Sequence, residues 1–357
     1  MARRSLHAVI AATTLAVIGL ASAGVTSRAG AADPAARTVQ LRGAGATFPA
    51  PLYDKWIQTY RRENPDVVIS YDAVGSSEGQ RRYLAEAVDF GASDAALSDE
   101  QIASASARAG ARLVPVTAGL VVLAYNIPGL GGPLRLSRDA CADIFAGRIR
   151  AWNDARIRAA NPDLGLPART IALVARQDGS GTTFALTNHL SAVSPAWRDQ
   201  GPGVGNLVDW RGTAMLARGN EGVAGRIKQS EFSIGYVEYH FAKRLGLSMA
   251  LLQNRAGRYV EPGERGGQAA LAASVKQMPE NLRLFMPDPE GNDSYPIVTF
   301  SWLLLHERYP DREKAAAIKK FVAWGLTTGQ SYSRELGYIA LPPEVASVSL
   351  AALDRIR

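Results

Sequence analysis

Short, continuous apolar segments alternate with helical segments along most of this chain, and this alternation limits the possible folds more than any other feature. The sequence PLYDKWIQTYRRE predicts one apolar helical face, made of Leu52, Trp56, Ile57 and Tyr60. Ser137 and Gly147 are placed to begin and end another helix. The apolar segments are typical of strands buried on both faces of a sheet, and they comprise residues 67–74, 111–116, 119–125, 170–176, 233–239 and 296–305. Strands that alternate with helices predict an α/β fold with mainly parallel sheets.

The N-terminal 31 residues are typical of a secretory signal peptide. Arg3 and Arg4 precede an apolar run, and small residues follow it. Cleavage is expected after Ala23 or Ala31, which both end a small-x-small pattern, and we favour the second site, so residues 1–31 are predicted to be removed. No cysteine lies near either site to carry a lipid, and no later apolar run has the length of a membrane helix. We therefore expect an exported, soluble protein without a lipid anchor.

About 325 residues would remain, which is more than one hydrophobic core usually organises, so two domains are expected. The only cysteine, Cys141, cannot form an internal disulfide and is expected to be a small buried residue. The formal charge of +7 becomes +4 when the three arginines of the signal segment are removed. Because the basic residues are scattered, we expect no nucleic-acid partner. A mildly basic surface favours small anions.

Three glycine-rich turns are candidates for a binding site. They are GAGATFP at 43–49, VGSSEGQ at 74–80 and ARQDGSGTT at 175–183, and the second and third directly follow predicted strands. Ligands of open α/β sheets bind beyond the carboxyl ends of the strands. Backbone N–H groups at helix starts bind anions. The turns therefore predict an oxyanion site.

Hydrolytic and metal-dependent chemistry fit the sequence less well. Ser180 lies directly between two glycines, whereas a nucleophile elbow has the spacing G-x-S-x-G. His189 would lie more than two turns along the same helix and could not reach the Ser180 hydroxyl, but the sequence leaves His240 and His306 open as bases. Zinc, calcium and P-loop spacings are absent from the sequence. We expect no catalytic residue, no metal and no cofactor.

A buried anion needs many directed hydrogen-bond donors and a fixed countercharge. Arg176 has the planar guanidinium for this role, and Asp178 is placed to hold it. The alternative for Asp178 is a turn residue that bonds to nearby backbone. The remaining donors are hydroxyl and backbone N–H groups, from Thr47, Phe48, Ser76, Ser180, Gly181 and Thr182.

Six segments resemble, in order and spacing, the periplasmic phosphate-binding protein family of bacterial phosphate-specific ABC transporters. They are GAGATFPAPLYDKW, VGSSEGQ, VDFGASDAALSDE, VVLAYNIPG, RQDGSGTTF and IGYVEY, and the resemblance extends from about Leu41 to Leu341. It implies the periplasmic binding protein fold, in which a hinge joins two α/β lobes and phosphate binds in the cleft. Lobe 1 would comprise residues 41–116 and 297–357, and lobe 2 residues 117–296. Hinges would lie near residues 116–119 and 295–299.

The resemblance also implies which residues bind phosphate. They are Thr47, Phe48, Ser76, Asp94, Arg176, Ser180, Gly181 and Thr182, with Asp178 paired to Arg176. Asp94 would accept a hydrogen bond from a phosphate O–H group, and the alternative is that it caps the following turn through Ser98. Glu78 departs from the family, which commonly has glycine there. We expect Glu78 to point to solvent or to cap its helix, with Arg81 and Arg82 near enough to neutralise it.

The resemblance implies a monomeric periplasmic protein that captures inorganic phosphate and delivers it to a membrane permease. One alternative is a binding protein for another oxyanion, such as sulfate or arsenate. A less favoured alternative is a secreted phosphatase on the same scaffold. It would need a metal ion, or a nucleophile with a base.

Overall fold

The computed structural model describes residues 38–210 and 214–357, so the signal segment at 1–31 lies outside the described residues. The strands are β1 (Val39–Gly45), β2 (Val67–Ala73), β3 (Phe90–Ser93), β4 (Arg112–Asn126), β5 (Arg135–Leu136), β6 (Ala172–Arg176), β7 (Met215–Ala217), β8 (Ser233–Glu238), β9 (Ser248–Met249), β10 (Leu251–Gln253), β11 (Tyr259–Val260) and β12 (Val298–Leu305). The helices are α1 (Ala50–Glu63), α2 (Ser76–Leu84), α3 (Asp99–Ser106), α4 (Arg138–Phe145), α5 (Ala155–Arg158), α6 (Gly181–Val193), α7 (Pro195–Gln200), α8 (Gly219–Gln229), α9 (Tyr239–Arg244), α10 (Glu264–Ser274), α11 (Arg312–Leu326), α12 (Ser331–Leu336) and α13 (Pro343–Ala352).

Nine of the strands form one mixed sheet. Its order is β2-β1-β3-β12-β4-β8-β6-β7, and β9 also pairs with β4. The pairs that involve β1 or β6 are parallel, whereas β12 and β4 are antiparallel to their neighbours. The α/β class is confirmed, but the prediction of mainly parallel sheets is wrong at the centre. Two long strands run there in opposite directions between the two parallel groups.

Strand β4 replaces two predicted strands. The apolar segments predicted at 111–116 and 119–125 are parts of one 15-residue strand. The residues between them stay extended because β12 pairs with β4 as far as Leu120, and β8 pairs with it from Val121 onward. The chain therefore passes from one parallel group to the other inside a single strand. The predicted hinge at 116–119 lies within this strand.

Burial follows position in the sheet. Strands β8 and β12 are buried along their whole length, as predicted for central strands. Strand β2 is different, because only Val67 and Ile69 are buried in it. It lies at the edge of the sheet, where one face and one side contact solvent. The sequence reasoning also missed the glycine-containing strands β1 and β3, because glycine weakens the apolar signal of a strand.

Helices α1 and α4 form as predicted. In α1, Leu52, Trp56 and Tyr60 are buried as predicted, Tyr53 is buried with them, and Ile57 is half-buried. The indole N–H of Trp56 donates to a backbone carbonyl at 2.8 Å. The Ser137 hydroxyl caps α4 by accepting from a backbone N–H at 3.2 Å, and Gly147 follows the helix with a φ of 69°. Among the described helices, none is both long and apolar enough to span a bilayer.

Candidate functional site

Loops that follow five strands meet at one buried position. The loops after β1, β2, β3, β6 and β7 each lead from the carboxyl end of a strand towards a helix, which is where α/β folds bind ligands. All of the predicted site residues lie in these loops or at these strand and helix ends. Thr47 is half-buried, and Phe48 is fully buried, with its carbonyl oxygen accepting a hydrogen bond from Tyr338 at 2.6 Å.

Ser76 joins the loops that follow β2, β3 and β6. Its hydroxyl oxygen accepts from the backbone N–H of Gly181 at 3.0 Å and from that of Asp94 at 3.3 Å. Gly181 has no room for a side chain, because a Cβ atom there would lie 2.6 Å from both the Asp94 Cβ and the Ser76 Oγ. Glycine at the start of α6 therefore allows the loop after β6 to approach Ser76 and Asp94 closely.

Arg176 is a buried cation at the end of β6. Its Nε donates to Asp178 Oδ1 at 2.8 Å, Nη2 donates to Asp178 Oδ2, and Nη1 lies 3.4 Å from Thr182 Oγ1. Asp178 also accepts from the backbone N–H of Gly219 at 3.0 Å. Burial raises the pKa of Asp178, but the hydrogen bonds and charge of Arg176 outweigh it and hold that pKa below its ordinary value. The ion pair therefore fixes the guanidinium inside the cluster.

Ser180 is the N-cap residue of α6, and its hydroxyl accepts from a backbone N–H at 3.1 Å. His189, and the two histidines that the sequence left as possible bases, His240 and His306, are engaged elsewhere. In His189 and His240, Nδ1 lies 2.6 and 2.8 Å from a backbone carbonyl oxygen, and His306 stacks on Tyr83. This arrangement is that of a capping hydroxyl at a helix start rather than of a nucleophile paired with a base.

Ser180→Ala is expected to weaken phosphate binding by about 1.5 to 3 kcal/mol, the range for a hydrogen bond to a charged group. It should also cost about 1 kcal/mol of stability, because the cap of α6 is lost. Ser137→Ala is the matched control, since it removes the cap of α4 and should leave phosphate affinity unchanged. Calorimetric titration and thermal unfolding measure both effects. A fluorophosphonate probe should not label Ser180, and labelling would contradict this role.

Asp94 is a fully buried carboxyl group directly after β3. Its Oδ1 accepts from the Ser301 hydroxyl at 2.7 Å. Burial raises the pKa of Asp94 to about 7, although the hydrogen bond from Ser301 and the charge of Arg176 act in the opposite direction. The alternative role for Asp94 is not seen in the structure. Ser98 instead caps α3 by accepting from the backbone N–H of Gln101 at 3.2 Å.

Three buried polar residues of the cluster were missed by the sequence reasoning. Ser301 interrupts the apolar strand β12, next to an irregularity in its pairing with β4, and such bulges are common beside functional sites. Glu238 ends the buried strand β8, and burial raises its pKa well above the ordinary value. An unexplained polar residue in an apolar run is a signal that could have identified both. Asn220 lies in the first turn of α8 and belongs to no motif.

Glu78 lies in the first turn of α2, where the helix dipole favours an acid, but it makes no capping hydrogen bond, and its side chain is half-buried. It accepts hydrogen bonds from Arg81 at 2.7 Å and from Arg82 at 2.8 Å. These bonds lower the pKa of Glu78 to about 2. Its charge is therefore neutralised by two arginines.

The predicted residues of the cluster combine one fixed guanidinium, four hydroxyl groups and the N-terminus of α6 with the buried carboxyl group of Asp94. These groups together suit a tetrahedral oxyanion that still carries a proton, because the carboxylate needs a donor. In the part of the chain that the structure describes, no group of three or more His, Cys, Asp or Glu side chains is arranged to hold a metal ion.

Comparison with known proteins agrees with this architecture. The model of the PBP superfamily domain matches residues 30–328. The phosphate-binding protein PstS of Haemophilus influenzae is 38% identical over 317 residues, which cover 88% of this chain and 92% of the relative. PstS of Methanocaldococcus jannaschii is 36% identical over 340 residues, or 90% of this chain and 87% of that protein.

Solved structures show the same fold at lower sequence identity. The phosphate-binding protein from Stenotrophomonas maltophilia superposes with a TM-score of 0.71 at 20% identity, covering 88% of this chain and 93% of the other. The relatives at 36% and 38% identity match almost their whole length. The chain therefore belongs to the PstS family of phosphate-binding proteins, within the PBP superfamily.

Proposed function

We propose that this protein captures inorganic phosphate after export to the periplasm and delivers it, as a monomer, to the membrane permease of an ABC importer. The observation that carries the proposal is the presence of a buried cation, Arg176, and a buried acid, Asp94, in one cluster of donors. An anion satisfies the cation, whereas only an anion that keeps a proton can also donate to the acid. Phosphate near neutral pH is such an anion.

Each residue of the cluster has a proposed role in that complex. Arg176 supplies the countercharge, and Asp178 orients it. The other donors are hydroxyl and backbone N–H groups at the starts of α1, α2 and α6, and Asp94 is the acceptor for the phosphate O–H group. The phosphate-binding residues are Thr47, Phe48, Ser76, Asp94, Arg176, Ser180, Gly181 and Thr182.

Hydrogen bonds join the two proposed lobes, 41–116 with 297–357 and 117–296. The Ser77 backbone N–H donates to the Gly179 carbonyl at 3.1 Å, and the Asn206 side chain donates to the Ser77 hydroxyl at 3.2 Å. A buried anion can enter only if such contacts open, so we propose that the lobes separate by bending near residues 116–119 and 295–299. These bonds support the assignment of the present arrangement to the closed state.

Phosphate should make the protein more compact, because one ligand that bridges both lobes binds the closed state better than the open state. Small-angle scattering of the phosphate-stripped protein, with and without added phosphate, measures this. The radius of gyration should fall on addition of phosphate and stay unchanged on addition of chloride. An equal radius in both states would contradict hinge closure.

Equilibrium dialysis tests the proposed function directly. The stripped protein should retain one radiolabelled phosphate per chain in the presence of excess sulfate, and it should release no nitrophenol from p-nitrophenyl phosphate. Retention of labelled sulfate in place of phosphate would favour the other oxyanions, and hydrolysis would favour a phosphatase. Arsenate has the same shape and protonation pattern as phosphate, so it should compete for the site.

A further inference from the structure

Asn220, in the first turn of α8, is fully buried beside the proposed phosphate site. Its Oδ1 accepts from the backbone N–H of Glu238 at 2.9 Å. Since a backbone N–H can only donate, the amide oxygen must face Glu238, and the NH₂ group must point the other way. Its two protons are directed at two hydroxyl oxygens, Thr47 Oγ1 at 3.0 Å and Thr182 Oγ1 at 3.2 Å.

Both of these hydroxyl oxygens accept a second hydrogen bond. Thr47 Oγ1 also accepts from the backbone N–H of Asn220 at 3.2 Å, and Thr182 Oγ1 also accepts from Arg176 Nη1 at 3.4 Å. A hydroxyl oxygen has two lone pairs and one proton. With both lone pairs engaged, each hydroxyl has only its proton left to offer.

We propose that Asn220 is a positioning residue that fixes the hydroxyls of Thr47 and Thr182 as hydrogen-bond donors to the bound anion. The proposal rests on the phosphate-binding function proposed above. A hydroxyl that is free to rotate can present a lone pair to the anion, which repels it. A hydroxyl whose lone pairs are occupied presents only its proton, so the site is preorganised for negative charge.

Asn220 also links the orientation of the Thr47 hydroxyl to the closing of the two proposed lobes. Thr47 belongs to the first proposed lobe, whereas Asn220 and Thr182 belong to the second. The Thr47 hydroxyl is therefore oriented only when the lobes meet. Closure thus completes the set of donors as well as excluding water.

Asn220→Asp tests the proposal with almost no change in shape. Aspartate can still accept from the Glu238 N–H, but its second oxygen accepts where the amide donated. The hydroxyls of Thr47 and Thr182 should turn towards it and be lost to the ligand. Two lost hydrogen bonds to an anion should lower phosphate affinity at pH 8 by roughly 10²- to 10⁴-fold.

The pH profile separates this role from a merely structural one. Burial should raise the pKa of the new carboxyl group, and its protonated form regains one donor. The ratio of wild-type to Asn220→Asp affinity should therefore narrow by about tenfold or more between pH 8 and pH 5. The charged and titratable groups near this position, Asp94, Arg176, Asp178 and Glu238, are the same in both proteins, so the ionisation of Asp94, whose pKa is about 7, contributes equally to both profiles.

Asn161→Asp is the matched control. Asn161 is another buried amide, which accepts from a backbone N–H at 2.8 Å and donates to two carbonyls. Its substitution should leave phosphate affinity within about threefold of wild type. If Asn220→Asp does not fold, the variants Thr47→Val and Thr182→Val are measured instead. Each should lower phosphate affinity by roughly 10- to 100-fold.

The outcomes are distinguishable by calorimetric titration with phosphate. Failure of the wild type to bind phosphate would refute the proposed function. If the wild type binds phosphate, either of two results would overturn the role of Asn220. One is a phosphate affinity of Asn220→Asp within threefold of wild type at pH 8. The other is a ratio of the two affinities that does not change with pH. Unchanged affinity in both valine variants would overturn it as well.

Discussion

Arg176→Ala is expected to weaken phosphate binding by about 3 to 5 kcal/mol, as breaking a buried ion pair does. The variant removes the guanidinium of the proposed site, and it leaves the Asp178 carboxylate, which Arg176 now neutralises, close to the anion. Both changes act against a bound anion. Calorimetric titration of the phosphate-stripped variant measures the loss.

Two further variants separate the components of this loss. Arg176→Lys keeps the charge without the planar fork, so its affinity should lie between those of the wild type and the alanine variant. Arg265→Ala is the control, because Arg265 is an exposed arginine of α10 that pairs with Asp293 at the surface. Affinity of Arg176→Ala within a few-fold of wild type would show that the anion binds elsewhere.

Asp94→Asn is expected to reduce discrimination between phosphate and sulfate. Sites built around a ligand O–H group reject an analogue that lacks it by about 10⁴ to 10⁵. Sulfate would place an oxygen without a proton against the Asp94 carboxylate, whereas the asparagine amide can donate to it. At pH 8 the ratio of phosphate to sulfate affinity should therefore fall at least about 100-fold. Calorimetric titration with both anions measures the ratio.

The same ratio should depend on pH in the wild-type protein. The pKa of Asp94 is about 7, so the carboxyl group is ionised at pH 8 and protonated at pH 5. The protonated form can donate to sulfate, so discrimination should weaken as the pH falls through 7. Asp89→Asn, which alters a carboxylate bound to Lys314, is the control. A ratio unaffected by Asp94→Asn would remove Asp94 from the binding site.

Local features of the site could be predicted from the sequence. Arg176 and Asp178 are two residues apart, and Ser180 directly precedes α6, so their pairing and capping depend on a few neighbouring residues. The same is true of Glu78 with Arg81 and Arg82. Short-range geometry on a helix or turn limits such contacts strongly.

Contacts that depend on sheet order could not be predicted in the same way. Ser301 and Asp94 are 207 residues apart, and Asn220 and Thr47 are 173 apart. Their contacts follow from the placement of β12 beside β3 and from the meeting of loops of different strands. The single strand β4 was missed for a similar reason. Thr117 and Gly119 interrupt its apolar pattern, and only pairing with β12 keeps them extended.

The crystal structure of the phosphate-loaded protein tests the central claim most directly. We expect one phosphate within hydrogen-bond distance of the Arg176 guanidinium, the hydroxyls of Ser76, Ser180 and Thr182, and the Asp94 carboxyl group. A phosphate bound elsewhere, or bound without contact to Arg176 and Asp94, would contradict the account.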